Sequence, residues 1–202
     1  QRDHFYAVVR AWNLDGGSRL IHCERVPTYE EIDTMAKKFG VHHSLVFLDA
    51  GYCTYDVYRK CAEYGWYALM GDRRNTFSHR LKDGKTVDRF YSPKRRVVLG
   101  MGRNGRDQAA NMFFWSNLNI KDALARLRRN REGALWEVPM NAPADYLDML
   151  DSEIRVYEHG RWIWQQLGHR PNHYLDCEAM QVVAATMLKI VGSESVNAIK
   201  EQ

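Results

Sequence analysis

Two acids in this chain stand where a carboxylate needs a partner. From Asp176 the sequence runs as an apolar helix to about Val191. Met180, Val183 and Met187 follow Asp176 at offsets of 4, 7 and 11, the spacing of one helical face. Asp176 is therefore expected on the core stripe, with Glu178 pointing roughly to the opposite side. An isolated buried charge is very costly, so a core-facing acid must be paired, protonated or metal-bound. The alternative is that Asp176 caps the helix N-terminus, where Asp is favoured. Asp49 follows the apolar run Ser44-Leu-Val-Phe-Leu48, at the carboxyl end of a strand expected to be central and buried on both faces. Ligands bind at such strand ends in open α/β sheets. The alternative is a turn residue ahead of the next helix. Carboxylate clusters suit hard divalent cations such as Mg²⁺ and Mn²⁺. Two such ions about 3.5–4 Å apart can clamp the attacking and leaving oxygens of a phosphodiester.

The charge pattern fits a polyanionic partner. The formal net charge is only +4 over 202 residues, but its distribution is uneven. Between positions 73 and 106 stand Arg73, Arg74, Arg80, Lys82, Lys85, Arg89, Lys94, Arg95, Arg96, Arg103 and Arg106, opposed by Asp83 and Asp88. Arg126, Arg128, Arg129 and Arg131 form a second cluster. This is the footprint of a nucleic-acid partner, with Arg73, Arg74, Lys94, Arg95, Arg96, Arg103 and Arg106 as candidate contacts. A plain solvated basic surface is the alternative.

Other chemistries find less support. The four cysteines form no C-x-x-C pair, which argues against zinc or a disulfide framework and for a reducing compartment. His42-His43 has no companion ligands nearby and reads as a surface pair. Gly84-Lys85-Thr86 fails as a phosphate loop because the required first glycine falls on His79. Gly100-Met-Gly-Arg-Asn-Gly105 has dinucleotide-loop spacing but no convincing helix after it. No run of 18 apolar residues and no signal-peptide pattern occurs. The chain opens on Gln1 rather than Met, as expected of a processed chain or one cut from something longer.

The elements that must position these residues follow from periodicity. Phe5 to Trp12 and Arg19 to Val26 read as a strand hairpin about Asp15-Gly-Gly-Ser18. A helix from Thr28 ends at Gly40, and another runs from about Tyr55 to Tyr64. Trp66 to Met70 is an apolar strand, and residues 73–108 a basic loop or β-excursion. Met112 to Trp115 is a strand, followed by a helix from Asn119 through Arg131 with Leu124 and Leu127 inward. A helix is expected from about Ala144 to Tyr157, a strand over Arg161 to Gln166, and a frayed tail over 193–202. The pattern is that of one α/β domain, a mixed sheet with helices on both faces.

These residues resemble the nuclease domain of the large terminase subunit of tailed bacteriophages. The likeness rests on Val46-Phe-Leu-Asp-Ala-Gly-Tyr52 with Val57-Tyr58, and on Arg170-Pro-Asn-His-Tyr-Leu-Asp-Cys-Glu178 running into an apolar helix. Met112 to Leu127, a strand followed by a lysine-bearing helix, is also similar. The resemblance spans most of the chain. It implies an RNase H-like fold and an endonuclease using two Mg²⁺ or Mn²⁺ ions held by three acids. Asp49 matches the acid closing the family's fourth strand, Asp176 the acid on its late helix, and His173 stands near the metals or the scissile phosphate. The family's first acid lies in a first-strand pattern like Val-Asp-Val-Gln-x-Asp. Gln1-Arg-Asp3 starts just after it, so the first strand looks truncated, and Asp3 matches the trailing Asp or substitutes as the third ligand. Implied partners are double-stranded DNA, an upstream ATPase domain in cis, the portal and the small terminase subunit, in the cytoplasm of the bacterial host and without a membrane. Two readings stay open beside it. One is another RNase H-like nuclease of resolvase or integrase type; the other is a non-catalytic DNA-binding or docking module.

Overall fold

A computed structural model describes residues 4–101, 107–130 and 132–191. In chain order the strands and helices are β1 (Phe5–Trp12), β2 (Ser18–Val26), α1 (Tyr29–Lys38), β3 (Phe47–Asp49), α2 (Thr54–Tyr64), β4 (Tyr67–Asp72), β5 (Phe77–Arg80), β6 (Thr86–Arg89), β7 (Arg95–Met101) and β8 (Asp107–Ser116). Then come α3 (Asn117–Arg129), β9 (Trp136–Glu137), α4 (Ala144–Leu150), β10 (Glu153–Glu158), β11 (Arg161–Gln166) and α5 (His173–Met187). They are mixed α/β elements in two compact units. The first unit comprises Gln1–Phe5 and Val26–Ser116, the second Tyr6–Arg25 and Asn117–Gln202.

The first unit is built on a four-stranded sheet in the order β3-β4-β8-β7, parallel except for the antiparallel β7–β8 edge. Leu48, Ala68 and Met112 are in register and share one face. That face meets α2, whose Val57 and Cys61 are buried and whose Tyr58 hydroxyl donates to Met112 Sδ at 3.2 Å. The other face carries Phe47, Tyr67 and Phe113, whose rings sit 5.7 and 5.6 Å apart across three strands. Such aromatic cross-strand contacts hold the register where apolar residues are few. The basic stretch is a short β5–β6 hairpin followed by β7, so Arg95 and Arg96 are sheet residues.

In the second unit β1, β2 and β9 form one sheet and β10–β11 an antiparallel ribbon. Leu20, Tyr146, Met149, Leu150 and Tyr174 make a core cluster, with Tyr6, Val8 and Cys23 against it. At its centre lies a charge. Arg10, in the middle of β1, directs Nε and Nη2 to the two carboxylate oxygens of Glu178 at 2.9 Å each, both side chains fully buried. Nη1 donates to Ser18 Oγ and to the Glu137 carbonyl, both at 3.2 Å. The Tyr146 hydroxyl donates to Glu178 at 2.6 Å, and the guanidinium stacks 3.5 Å from the Trp136 ring. A buried pair is tolerated when its remaining donors and acceptors are met in this way.

Four sequence expectations are corrected. The run from Ser44 begins as the end of a 3-10 turn (His43–Leu45), and the strand is only Phe47–Asp49. That strand stands first in its sheet order, bonded to β4, rather than centrally. The helix expected to reach Tyr157 stops at Leu150; beyond Ser152, Glu153-Ile-Arg-Val-Tyr157 alternates as a strand and finds β11 opposite. Glu178 does not face away: it is fully buried, while the Asp176 side chain is 38% exposed. The helix α5 is apolar around much of its circumference, and its buried stripe runs through Tyr174, Glu178, Val182 and Ala185. Three apolar offsets therefore could not single out the core face.

Candidate active site

Asp176 lies in the first turn of α5, but the cap position belongs to Asn172. The capping alternative is thereby replaced by an ion pair. Lys121, on α3, places Nζ 2.8 Å from Asp176 Oδ1 and 2.8 Å from both carboxylate oxygens of Glu153 on β10. The Lys121 and Glu153 side chains are only 5% and 6% exposed. Asn172 Nδ2 donates to Glu153 Oε1 at 2.7 Å, tying the helix start to the ribbon. Three elements thus converge on one ammonium between two carboxylates. Burial raises the Asp176 pKa above the ordinary carboxylate value, while the Lys121 charge and hydrogen bond pull it back down and Glu153 pushes it up again.

His173 opens α5 and stacks on Tyr6, centroids 4.6 Å apart at 18°. Desolvation lowers its pKa, against the pull of Asp176. Asp49 closes β3, and its Oδ1 accepts the Gly51 amide at 3.0 Å, so it does make the turn contact considered above. Asp49 belongs to the first unit; Asp176, Glu153, Lys121 and His173 belong to the second. Asp3, Arg103 and Arg106 lie outside the described residues.

The basic candidates that are described all stay exposed: Arg73, Arg74, Lys94, Arg95 and Arg96. Arg74 is already engaged, donating Nε and Nη2 to the two oxygens of Asp72 at 3.0 and 2.7 Å and stacking on Phe77. Arg95 lies 4.9 Å over Phe114, and Arg96 reaches Asp107 at 3.5 Å.

The positive centre that these carboxylates meet is the Lys121 ammonium. Asp176 and Glu153 already present three oxygens at 2.8 Å to one positive centre, and carboxylate oxygens are what Mg²⁺ and Mn²⁺ select. Their number is small: among the described residues no three His, Cys, Asp or Glu side chains form a metal-holding group. The four cysteines are unbridged. Periodicity missed Lys121 and Glu153, although a signal existed. Lys121 precedes Leu124 by three residues and so sits on the apolar stripe of its own helix.

Residues 1–196 match the family model described as terminase large subunit gpA, endonuclease domain. The chain belongs to that family. Membership in the terminase endonuclease family makes it a phage DNA-packaging nuclease domain by descent. No curated protein and no solved structure matches the chain. Among the described residues no helix is long and apolar enough to cross a membrane.

Proposed function

We propose that this chain is the RNase H-like, Mg²⁺- or Mn²⁺-dependent endonuclease domain of a packaging motor and hydrolyses phosphodiester bonds of double-stranded DNA. The observation that carries the reading is Asp176, half-exposed and held beside Glu153 around a single cationic group. Asp176 and Asp49 are the acids that would hold metal, with Asp3 as the third. When bound, a pair of ions supplies an activated water and a charge for the departing 3′ oxygen. Lys121 favours the ionised form of Asp176 and aligns it, and His173, at the same helix start, would meet the scissile phosphate. Arg73, Arg74, Lys94, Arg95, Arg96, Arg103 and Arg106 neutralise backbone phosphates, each releasing counterions. Residues 1–202 act as one nuclease domain, with an ATPase domain in cis, the portal and the small terminase subunit as partners in the host cytoplasm.

Supercoiled plasmid incubated with Mn²⁺ or Mg²⁺ tests this. The wild-type chain is expected to nick and linearise it, and the Asp49→Ala/Asp176→Ala double variant to lose that activity. Wild-type rates in the double variant sink the assignment. A strong preference for branched junctions over linear duplex would instead favour a resolvase-type enzyme.

A further inference from the structure

The β10–β11 ribbon carries a feature that the acids and the basic stretch leave unused. Its register pairs Glu153 with Gln166, Arg155 with Trp164 and Tyr157 with Trp162, and alternation puts all six on one face. The near end of that face is the acid group itself, through Glu153 on Lys121. In the middle, Asp122 Oδ1 accepts Arg155 Nε and Trp164 Nε1, both at 2.9 Å, which fastens the ribbon to α3. The far end is not covered. Tyr157 is 62% and Trp162 45% exposed, their rings meeting edge to face at 5.2 Å.

The Arg155 guanidinium lies 4.3 Å over the Trp162 ring, adding positive charge to the aromatic surface. The ribbon tip, Glu158-His159-Gly160-Arg161, is a two-residue turn with φ of 49° at His159 and 77° at Gly160. Both positive values are those of a hairpin turn that follows the strand twist, so the tip is rigidly specified. Tyr157 lies four positions along the strand from Glu153, about 13 Å along the ribbon.

We propose that Tyr157 and Trp162 form a stacking platform for bases of an unpaired DNA strand that runs along this face to the Asp176–Lys121 group. Exposed aromatics beside arginine are what single-stranded nucleic acid uses, because every base has a π-face and the guanidinium answers the phosphates. A pair that only staples the hairpin would serve as well buried. The proposal rests on the DNA reading above but not on cutting, so the two can fail separately.

The test is the affinity of the chain for an oligothymidine of about 12 nucleotides, a length within single-strand site sizes, measured in EDTA by fluorescence anisotropy. A duplex of the same length is titrated alongside. Tyr157→Ala/Trp162→Ala is expected to weaken single-strand binding about tenfold or more and duplex binding much less. Trp162→Phe, which keeps a ring, is expected to retain most of the affinity. Unchanged single-strand affinity in the double alanine variant overturns the proposal, as does equal loss on both ligands or no single-strand binding by wild type. A change in oligomeric state with unchanged oligonucleotide affinity would make the surface a protein interface and also overturn it. Because EDTA removes metal, a loss of cleavage assignment for Asp49 and Asp176 leaves this result standing.

Discussion

Lys121 Nζ stands 2.8 Å from Asp176 and 2.8 Å from both oxygens of Glu153, so one nearly buried ammonium serves two carboxylates on different elements. Removing it leaves two acids in each other's field with Glu153 buried. Lys121→Met is expected to destabilise the fold by about 3–5 kcal/mol, the range for stripping one partner from a buried pair. Lys121→Met/Glu153→Gln should recover part of that loss. Urea melts of the three proteins check both; a double variant as unstable as the single one contradicts this account.

Arg10 and Glu178 make the second buried pair, with no solvent contact at either side chain. Glu178→Gln leaves Arg10 without its counter-charge and is expected to cost about 3–5 kcal/mol. Arg10→Met/Glu178→Leu removes both charges and should cost clearly less than the sum of the single changes. A double-mutant cycle by chemical denaturation reads the coupling, which additivity within about 0.5 kcal/mol would refute.

Asp122 holds the β10–β11 ribbon through one oxygen shared by Arg155 and Trp164. Asp122→Ala leaves the Trp164 N–H without that acceptor, at an expected cost of about 1–3 kcal/mol. The loss should be local. Hydrogen exchange is expected to rise first in Glu153–Gln166 and to leave β4 and β8 protected.

Burial pushes the Cys61 thiol up to about 12 and the Cys23 thiol up to about 11, from 9.0. A folded pKa raised above the unfolded one stabilises the fold fully below pH 9 and loses that contribution as pH rises through the folded values. Melting temperatures are therefore expected to fall between about pH 9 and pH 12, and Cys61→Ala should flatten part of the slope. At pH 8 the exposed Cys53 should react with a thiol reagent while Cys61 does not. Rapid modification of Cys61 in the folded chain would disprove its burial.

Much of the local structure was legible in the residues. The Thr28 cap with acids in the first turn and lysines in the last, the hairpin at Asp15-Gly-Gly-Ser18 and the acid closing the Phe47–Asp49 strand all follow from local chemistry. The family resemblance was carried by Val46–Tyr52 with Val57-Tyr58, Met112–Leu127 and Arg170–Glu178, and the family match bears it out. The helix expected through Tyr157 failed because Glu153-Ile-Arg-Val-Tyr157 can be read with either period. What decided for a strand was β11 opposite it, a partner that local sequence does not contain.

The candidate site divides in the same way. The sequence by itself determined that Asp49 ends a strand and that Asp176 lies near the start of a helix, and which family the chain resembles. It also put a charge inside an apolar strand at Arg10 and on an apolar helix stripe at Lys121. Only the tertiary structure decided the partners. It buried Glu178 against Arg10 and left Asp176 at the edge of the stripe with Lys121 and Glu153. The physical reason is range. Helical and strand periods act over a few residues, whereas Arg10 and Glu178 are 168 positions apart and Lys121 and Glu153 are 32 apart. A buried charge announces that a partner exists, and packing alone chooses which one.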